Sequence, residues 1–288
     1  MAVATPRPIG LAVIGNITLD HEVHPDSRRV PVGVGGAALR VATAAAGAGL
    51  PAAPVSLVGE DLPGLLADLS RAGLNTDAVK IAAGPSARFT MTYNHEGELI
   101  GVTGDTGVAA GLTAHALSWI ARSRPGTYHV CCRRPLDIHR VLEALTRHGA
   151  AVSVDFYLPS AAESMAAAAE FLPHTRYVFV NQAEYEILTS TIAPRALPGV
   201  LVTDGPRPAL LLRHGRRSAR VVPAQVAVRC PTGAGDTVTG TFLAAQATGD
   251  TDQRALERAV TTATTYVRGD VSPLTVRSTV QPCEPSSR

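Results

Sequence analysis

Short apolar runs recur along this chain, each closed by glycine, aspartate, asparagine or a polar turn and most followed by a stretch of helical composition. IGLAVIG (9–15) is the first, and PVSLVG (54–59) is followed by DLPGLLADLSRAG (61–73). TYHVCC leads into LDIHRVLEALTRHG, AVSVDF into SAAESMAAAAEFL, and YVFVN into QAEYEILTS, while GVLVTDG precedes ALLLRHG, read here as the next unit of the same alternation. Alanine-rich 37–48 and the late segments TVTGTFLAAQATG and QRALERAVTTATTYVRG read as further helices. Runs that are apolar without alternation mark strands buried on both faces, and strands alternating with helices pair in parallel through helical crossovers. The expected fold is therefore α/β, a doubly wound and mostly parallel sheet with helices on both faces.

Two stretches break the rhythm, 17–33 and 87–103. In the second, ARFTMTY and ELIGVT flank NHEG, a turn of the kind that closes a hairpin. The short strand pieces of both stretches make up a small separate sheet. The expected organisation is a core from 1–16, 34–86 and 104–280, the small sheet from 17–33 and 87–103, and a flexible tail at 281–288.

Composition narrows the partners. A net charge of +2 and only 4% aromatic residues provide neither the field nor the stacking surface that nucleic-acid binding needs. No apolar run reaches the roughly 18 residues of a membrane span, and the first residues lack the order of a signal peptide. The four cysteines have no metal-ligand spacing; Cys131-Cys132 reads as a buried strand pair, and a reducing cytoplasm is the natural location.

In an open α/β sheet, ligands bind beyond the carboxyl ends of the strands, which puts Asp20, Asp155, Asn181 and Thr203 on one rim. The same rim takes in Gly233-Ala-Gly235-Asp236, a tight glycine turn at the mouth of a helix. Backbone N–H groups at a helix start are unpaired and carry partial positive charge, a seat for an anion. An acidic residue there also stabilises any helix, so the turn alone leaves both readings open. No G-x-x-x-x-G-K-[ST] loop and no G-x-G-x-x-G after the first strand is present, which argues against a lysine phosphate loop and against a nicotinamide enzyme.

Four stretches together carry a family likeness: Gly233-Ala-Gly-Asp236-Thr237 near the C-terminus, Asn181-Gln-Ala-Glu184 directly after a strand, the opening order Gly15-Asn16, Asp20 and Gly35-Gly36, and Thr203-Asp-Gly205. The chain resembles the ribokinase-like (PfkB) carbohydrate and nucleoside kinases along nearly its whole length. The resemblance implies an ATP-dependent transfer of a phosphoryl group to a small sugar or nucleoside, with the small sheet as a β lid over the acceptor. Asp236 would be the base, and the N–H groups of Gly233, Ala234 and Gly235 the anion hole. Asp20, Gly35, Gly36 and Arg40 would face the acceptor. Asn181, Thr203, Gly205 and Thr232 would line the nucleotide site, and Glu184 with Asn181 would hold Mg²⁺ through water. Read without the likeness, Asn181 and Glu184 are a helix cap with an acidic first turn, and Asp20 is a loop carboxylate. The exposed lid strands also offer an edge on which two copies can pair.

The likeness has departures. The family's usual asparagine after Gly35-Gly36 is here Arg40, a fork suited to carboxylate or phosphate. It reads either an acidic or phosphorylated acceptor or pairs with Asp20 or another carboxylate. Cys230 replaces the aspartate that helps bind K⁺ in many members, so K⁺ activation is expected to be weak or absent. Tyr157 stands where an asparagine is common, and with Phe156 it offers an aromatic face or core packing. Phe89, Met91 and Tyr93 alternate on one lid strand, Arg88 is adjacent, and His21, His24 and His95 read as exposed loop residues. A non-catalytic nucleotide or sugar sensor on the same fold is the competing function.

Overall fold

The computed structural model of the chain describes residues 9–23, 25, 32–95, 99–229 and 231–269. His24, Cys230, Cys283, the tail 281–288 and the Glu96-Gly97 half of the NHEG turn, with the side chain of Tyr93, lie outside the described residues.

Nine strands form the main sheet: β1 (Leu11–Ile14), β4 (Ala52–Gly59), β5 (Val79–Ala82), β8 (Thr127–Cys131), β9 (Val152–Asp155), β10 (Tyr177–Asn181), β11 (Val200–Asp204), β12 (Arg207–Arg213) and β13 (Arg216–Val221). Their order is β13-β12-β11-β10-β9-β8-β1-β4-β5. All pairings from β5 across to β11 are parallel, while β12 and β13 are added antiparallel. A second sheet contains β2 (Thr18–Val23), β3 (Val32–Gly35), β6 (Ala87–Tyr93) and β7 (Leu99–Asp105) in the order β3-β2-β6-β7. Its outer strands extend two residues past the stretches read from sequence, to Gly35 and Asp105.

Among the described residues, eight α-helices cover the main sheet. Helices α1 (Ala37–Gly47), α2 (Leu65–Arg71), α7 (Ala234–Ala247) and α8 (Asp252–Val267) contribute to one apolar cluster with Leu11, Val13 and Tyr177. Helices α3 (Leu112–Arg122), α4 (Ile138–Arg147), α5 (Ala161–Ala168) and α6 (Gln182–Thr191) contribute to the other with Ala12, Ile14 and Val154. Successive side chains of β1 enter opposite clusters, the pattern that a strand buried on both faces requires. Among the described residues no helix is long and apolar enough to cross a membrane.

One expectation fails. ALLLRHG is not a helical unit but strand β12, running back against β11 through a turn at Gly205, where φ is 55°. The side chains of Ala209 and Leu211 are buried while their neighbours are partly exposed, a period of two that a short apolar run disguises. Strand β13 and helix α3 were not read from sequence either.

The topology fixes the site. The chain moves from β1 outward to β4 and β5 and then returns to β8 on the other side of β1. This reversal opens a crevice at the carboxyl ends of β1 and β8. Asp61 supports the small sheet at its junction with the core: its carboxylate accepts from the Ser86 hydroxyl at 2.6 Å and from Arg88 at 2.6 Å. Arg88 is thus engaged away from the crevice.

Candidate active site

A cavity of about 1030 Å³ lies at that reversal, walled by both sheets and by the start of α7. Asn16, Asp20, Gly36 and Arg40 line it from the first strands and α1; Asn181, Glu184 and Thr203 from the β10 and β11 ends; and Thr232, Gly233, Gly235 and Asp236 from the turn before α7. Gly35, Gly205 and Ala234 are not among the lining residues, and the N–H of Ala234 donates to the Pro231 carbonyl at 3.3 Å. Gly205 shapes the β11–β12 turn, beside an ion pair between Asp204 and Arg207.

Gly233 precedes the first turn of α7 at φ 96°, left-handed backbone that suits a glycine, and no side chain caps this helix end. The turn is held from behind by α8, where the Tyr266 hydroxyl donates to Thr232 O at 2.9 Å. Asp236, one turn in, faces the cavity. Burial pushes its carboxyl up from the ordinary aspartate value; Arg133 works against that rise, Asp155 adds to it, and Arg40 and His129 also oppose it.

Asp20 sits in β2 and is 9% exposed, not a loop carboxylate. Thr18 Oγ1 donates to its Oδ1 at 2.6 Å and Arg40 Nη2 to its Oδ2 at 3.0 Å. Of the two readings of Arg40, the ion pair with Asp20 is the observed one. Gly35 makes room for it, since an added Cβ would fall 2.8 Å from Arg40 Nη2 and closer still to the Asp20 carboxylate. His21, read as a loop residue, is half-buried in β2, whereas His95 is exposed.

Asn181 and Glu184 form a reciprocal cap at the start of α6. The Glu184 N–H donates to Asn181 Oδ1 and the Asn181 N–H to Glu184 Oε2, both at 2.9 Å. Glu184 is 5% exposed, and burial drives its carboxyl up to about 7. A buried oxygen donor with a raised proton affinity, on the wall of a cavity that also holds an uncapped helix start, fits a hydrated divalent cation, which would return it to the ionised form.

Sequence reasoning missed Arg133. Its Nη2 donates to Asp155 Oδ1 at 2.9 Å, and its guanidinium lies 5.6 Å from the Tyr157 ring centre. It follows β8 directly, so the rim rule that found Asp155 and Asn181 would have found it too. Asp155 is buried between Arg133 and His129, whose Nε2 is 3.5 Å from Oδ2. Burial raises the Asp155 carboxyl, but the charge of Arg133 and the neighbouring His129 ring outweigh it and hold it below the ordinary range.

A family model described as pfkB family carbohydrate kinase matches residues 9–270. A cytidine kinase of Thermococcus kodakarensis is 29% identical over 270 residues, 88% of this chain and 92% of that protein. A Burkholderia thailandensis nucleoside kinase solved with inosine superposes at a TM-score of 0.77 and 17% identity, over 92% of each chain. A Methanocaldococcus jannaschii nucleoside kinase, described as an archaeal member of the ribokinase family, gives 0.76 at 19% identity over 93% of this chain and 94% of that one. The solved structures share the fold, and the family match extends over nearly every described residue. The chain belongs to the pfkB family of carbohydrate kinases and is a phosphotransferase with an alcohol group as acceptor.

Proposed function

We propose that the protein transfers the γ-phosphoryl group of ATP to a hydroxyl of a nucleoside or related sugar, with Asp236 as the base. The carrying observation is that Asp236 and the uncapped Gly233–Gly235 turn share one cavity with Asp20 and Glu184. Asp20 accepts a hydrogen bond from an acceptor hydroxyl and orients it. As the acceptor oxygen bonds to phosphorus, the bond from phosphorus to the β-phosphate oxygen breaks, ADP leaves, and the hydroxyl proton passes to Asp236. N–H groups of the turn and the positive end of α7 stabilise the charge on the phosphoryl oxygens. Thr203 and Thr232 face the nucleotide, whereas Gly205 acts only by shaping the turn beyond Thr203. Glu184, with Asn181, holds the divalent cation, taken as Mg²⁺, which supplies charge neutralisation on the phosphates.

A nucleoside is the favoured acceptor because Phe89, Phe156 and Tyr157 give the cavity aromatic walls, and because relatives named above are cytidine and nucleoside kinases. The engagement of Arg40 with Asp20 counts against its reading an acidic or phosphorylated acceptor. Phe89, Met91 and Val102 of the small sheet line the same cavity, which supports its role as a lid. Ile100, 64% exposed on the edge strand β7, marks the face on which two copies would pair. The free, buried thiols of Cys131 and Cys132 suit a reducing cytoplasm.

The test is ADP release with MgATP across a panel of nucleosides, sugars and sugar phosphates. Turnover confined to nucleosides or sugars supports this reading. Turnover confined to phosphorylated or acidic acceptors would replace it with the Arg40 reading, and ATP binding without turnover on any acceptor would point to a sensor.

A further inference from the structure

We infer that Arg133 is a positioning residue of the transfer, the fixed counter-charge against which Asp236 works. The inference rests on Asp236 being the base. Arg133 is anchored where few arginines are: Nη2 donates to Asp155 Oδ1 at 2.9 Å and contacts the Phe156 carbonyl at 3.4 Å, and the side chain is only 22% exposed. Its Nε is buried without a hydrogen-bond partner among the described residues.

Behind it runs a rigid polar chain. Asp155 Oδ2 lies 3.5 Å from His129 Nε2, and His129 Nδ1 meets Ser153 Oγ at 3.0 Å, all within the paired strands β8 and β9. The backbone of Asp155 is pinned as well, accepting from Cys132 N–H at 2.9 Å. A guanidinium held this way cannot swing aside when a substrate enters, so it presents a constant field to the cavity.

The charged and titratable groups around Asp236 come from several elements. Arg133 follows β8, Asp155 ends β9, Arg40 lies on α1 and His129 within β8. The Cys131 thiol also faces it but is buried and held neutral, its proton affinity raised first by burial. Glu184 on α6 lines the far wall. Arg40 is already paired with Asp20, which leaves Arg133 as the cation that lines the cavity with both Asp155, its direct partner, and Asp236. Without it, the Asp236 carboxyl, already pushed up by burial, would be pushed up further, because Arg133 is the first of the charges opposing that rise. Asp236 would then be ionised, and free to accept the acceptor's proton, only at higher pH.

The experiment is the pH dependence of kcat/KM with MgATP and cytidine, or the best acceptor of the panel, for the wild type, Arg133→Gln, Arg133→Lys and Asp155→Asn. The acid limb reports ionisation of the base. Arg133→Gln is expected to move that limb up by about one pH unit, a tenfold loss on its acid side. Arg133→Lys restores it to near the wild-type position, and Asp155→Asn moves it down. An unmoved limb in Arg133→Gln overturns the inference even if activity falls, because a contact with substrate or a packing role would lower the rate without moving the limb. Should Arg133→Gln fail to fold, Asp155→Asn decides: a limb that stays in place or moves up refutes the inference. Asp236→Asn separates the two levels. Full activity in that variant removes Asp236 as the base, whereas an inactive Asp236→Asn beside an unmoved Arg133→Gln limb removes only the role of Arg133.

Discussion

Replacing Gly35 with alanine should strike the acceptor anchor while leaving the fold intact. The added methyl would sit 2.8 Å from Arg40 Nη2 and 2.9 Å from the Asp20 carboxyl carbon, tighter than a Cβ tolerates. The Asp20 carboxylate must move, and its bonds from Thr18 at 2.6 Å and Arg40 at 3.0 Å cannot both survive. A hydrogen bond to a charged group contributes about 1.5–3 kcal/mol. If acceptor binding feels the loss of one such bond, acceptor KM rises roughly 10- to 100-fold. The structure supplies its own control two residues away: at Gly33, on the same strand, an added Cβ meets nothing within 4 Å. β3 lies at the edge of the small sheet, so neither change should lower the melting temperature much. Steady-state kinetics with the acceptor varied at saturating MgATP compares the two variants. Gly35→Ala with a KM within twofold of Gly33→Ala would refute Asp20 as the acceptor anchor.

Three further outcomes follow from the packing and the charges. Phe242→Ala removes a fully buried ring stacked edge-on against Tyr177 and Phe179, and should cost about 3–5 kcal/mol, a fall in melting temperature of roughly 10 °C by calorimetry. Hydrogen bonds from Arg213 hold the Asp252 carboxyl below its ordinary value, so its contribution is present above about pH 4 and lost as pH falls through the lowered value; Asp252→Asn should melt below the wild type at pH 7, by about 1–2 kcal/mol, with the gap closing in acid. Cys131 and Cys132 are buried, and burial raises both thiols well above the ordinary range, so mass spectrometry should find them unmodified by iodoacetamide until the protein is unfolded.

Most of the fold could be read from sequence because buried parallel strands announce themselves as unbroken apolar runs. The reading failed at 209–215, where an apolar run too short to show its period turned out to be an antiparallel strand bent back at Gly205. The site residues named from motifs sit around one cavity, apart from Gly35, Gly205 and Ala234, since a motif marks a loop and not the direction of each group in it. Arg40 could not be decided in advance: whether a guanidinium meets a ligand or a neighbouring carboxylate depends on tertiary geometry, and here Asp20 of β2 lies within reach of Arg40 on α1. Arg133, just after the TYHVCC run, was within reach of the rim rule. Its partner was not: Asp155 is distant in sequence and comes alongside only through the pairing of β8 with β9.

The most direct test of the account is turnover by Asp236→Asn beside the wild type, following ADP release with MgATP and the best acceptor of the panel, with ATP binding measured on both. The account predicts a wild type that phosphorylates a nucleoside or sugar hydroxyl, and a variant that binds ATP normally but turns over about 10²- to 10⁴-fold more slowly. A variant that keeps the wild-type rate would contradict it.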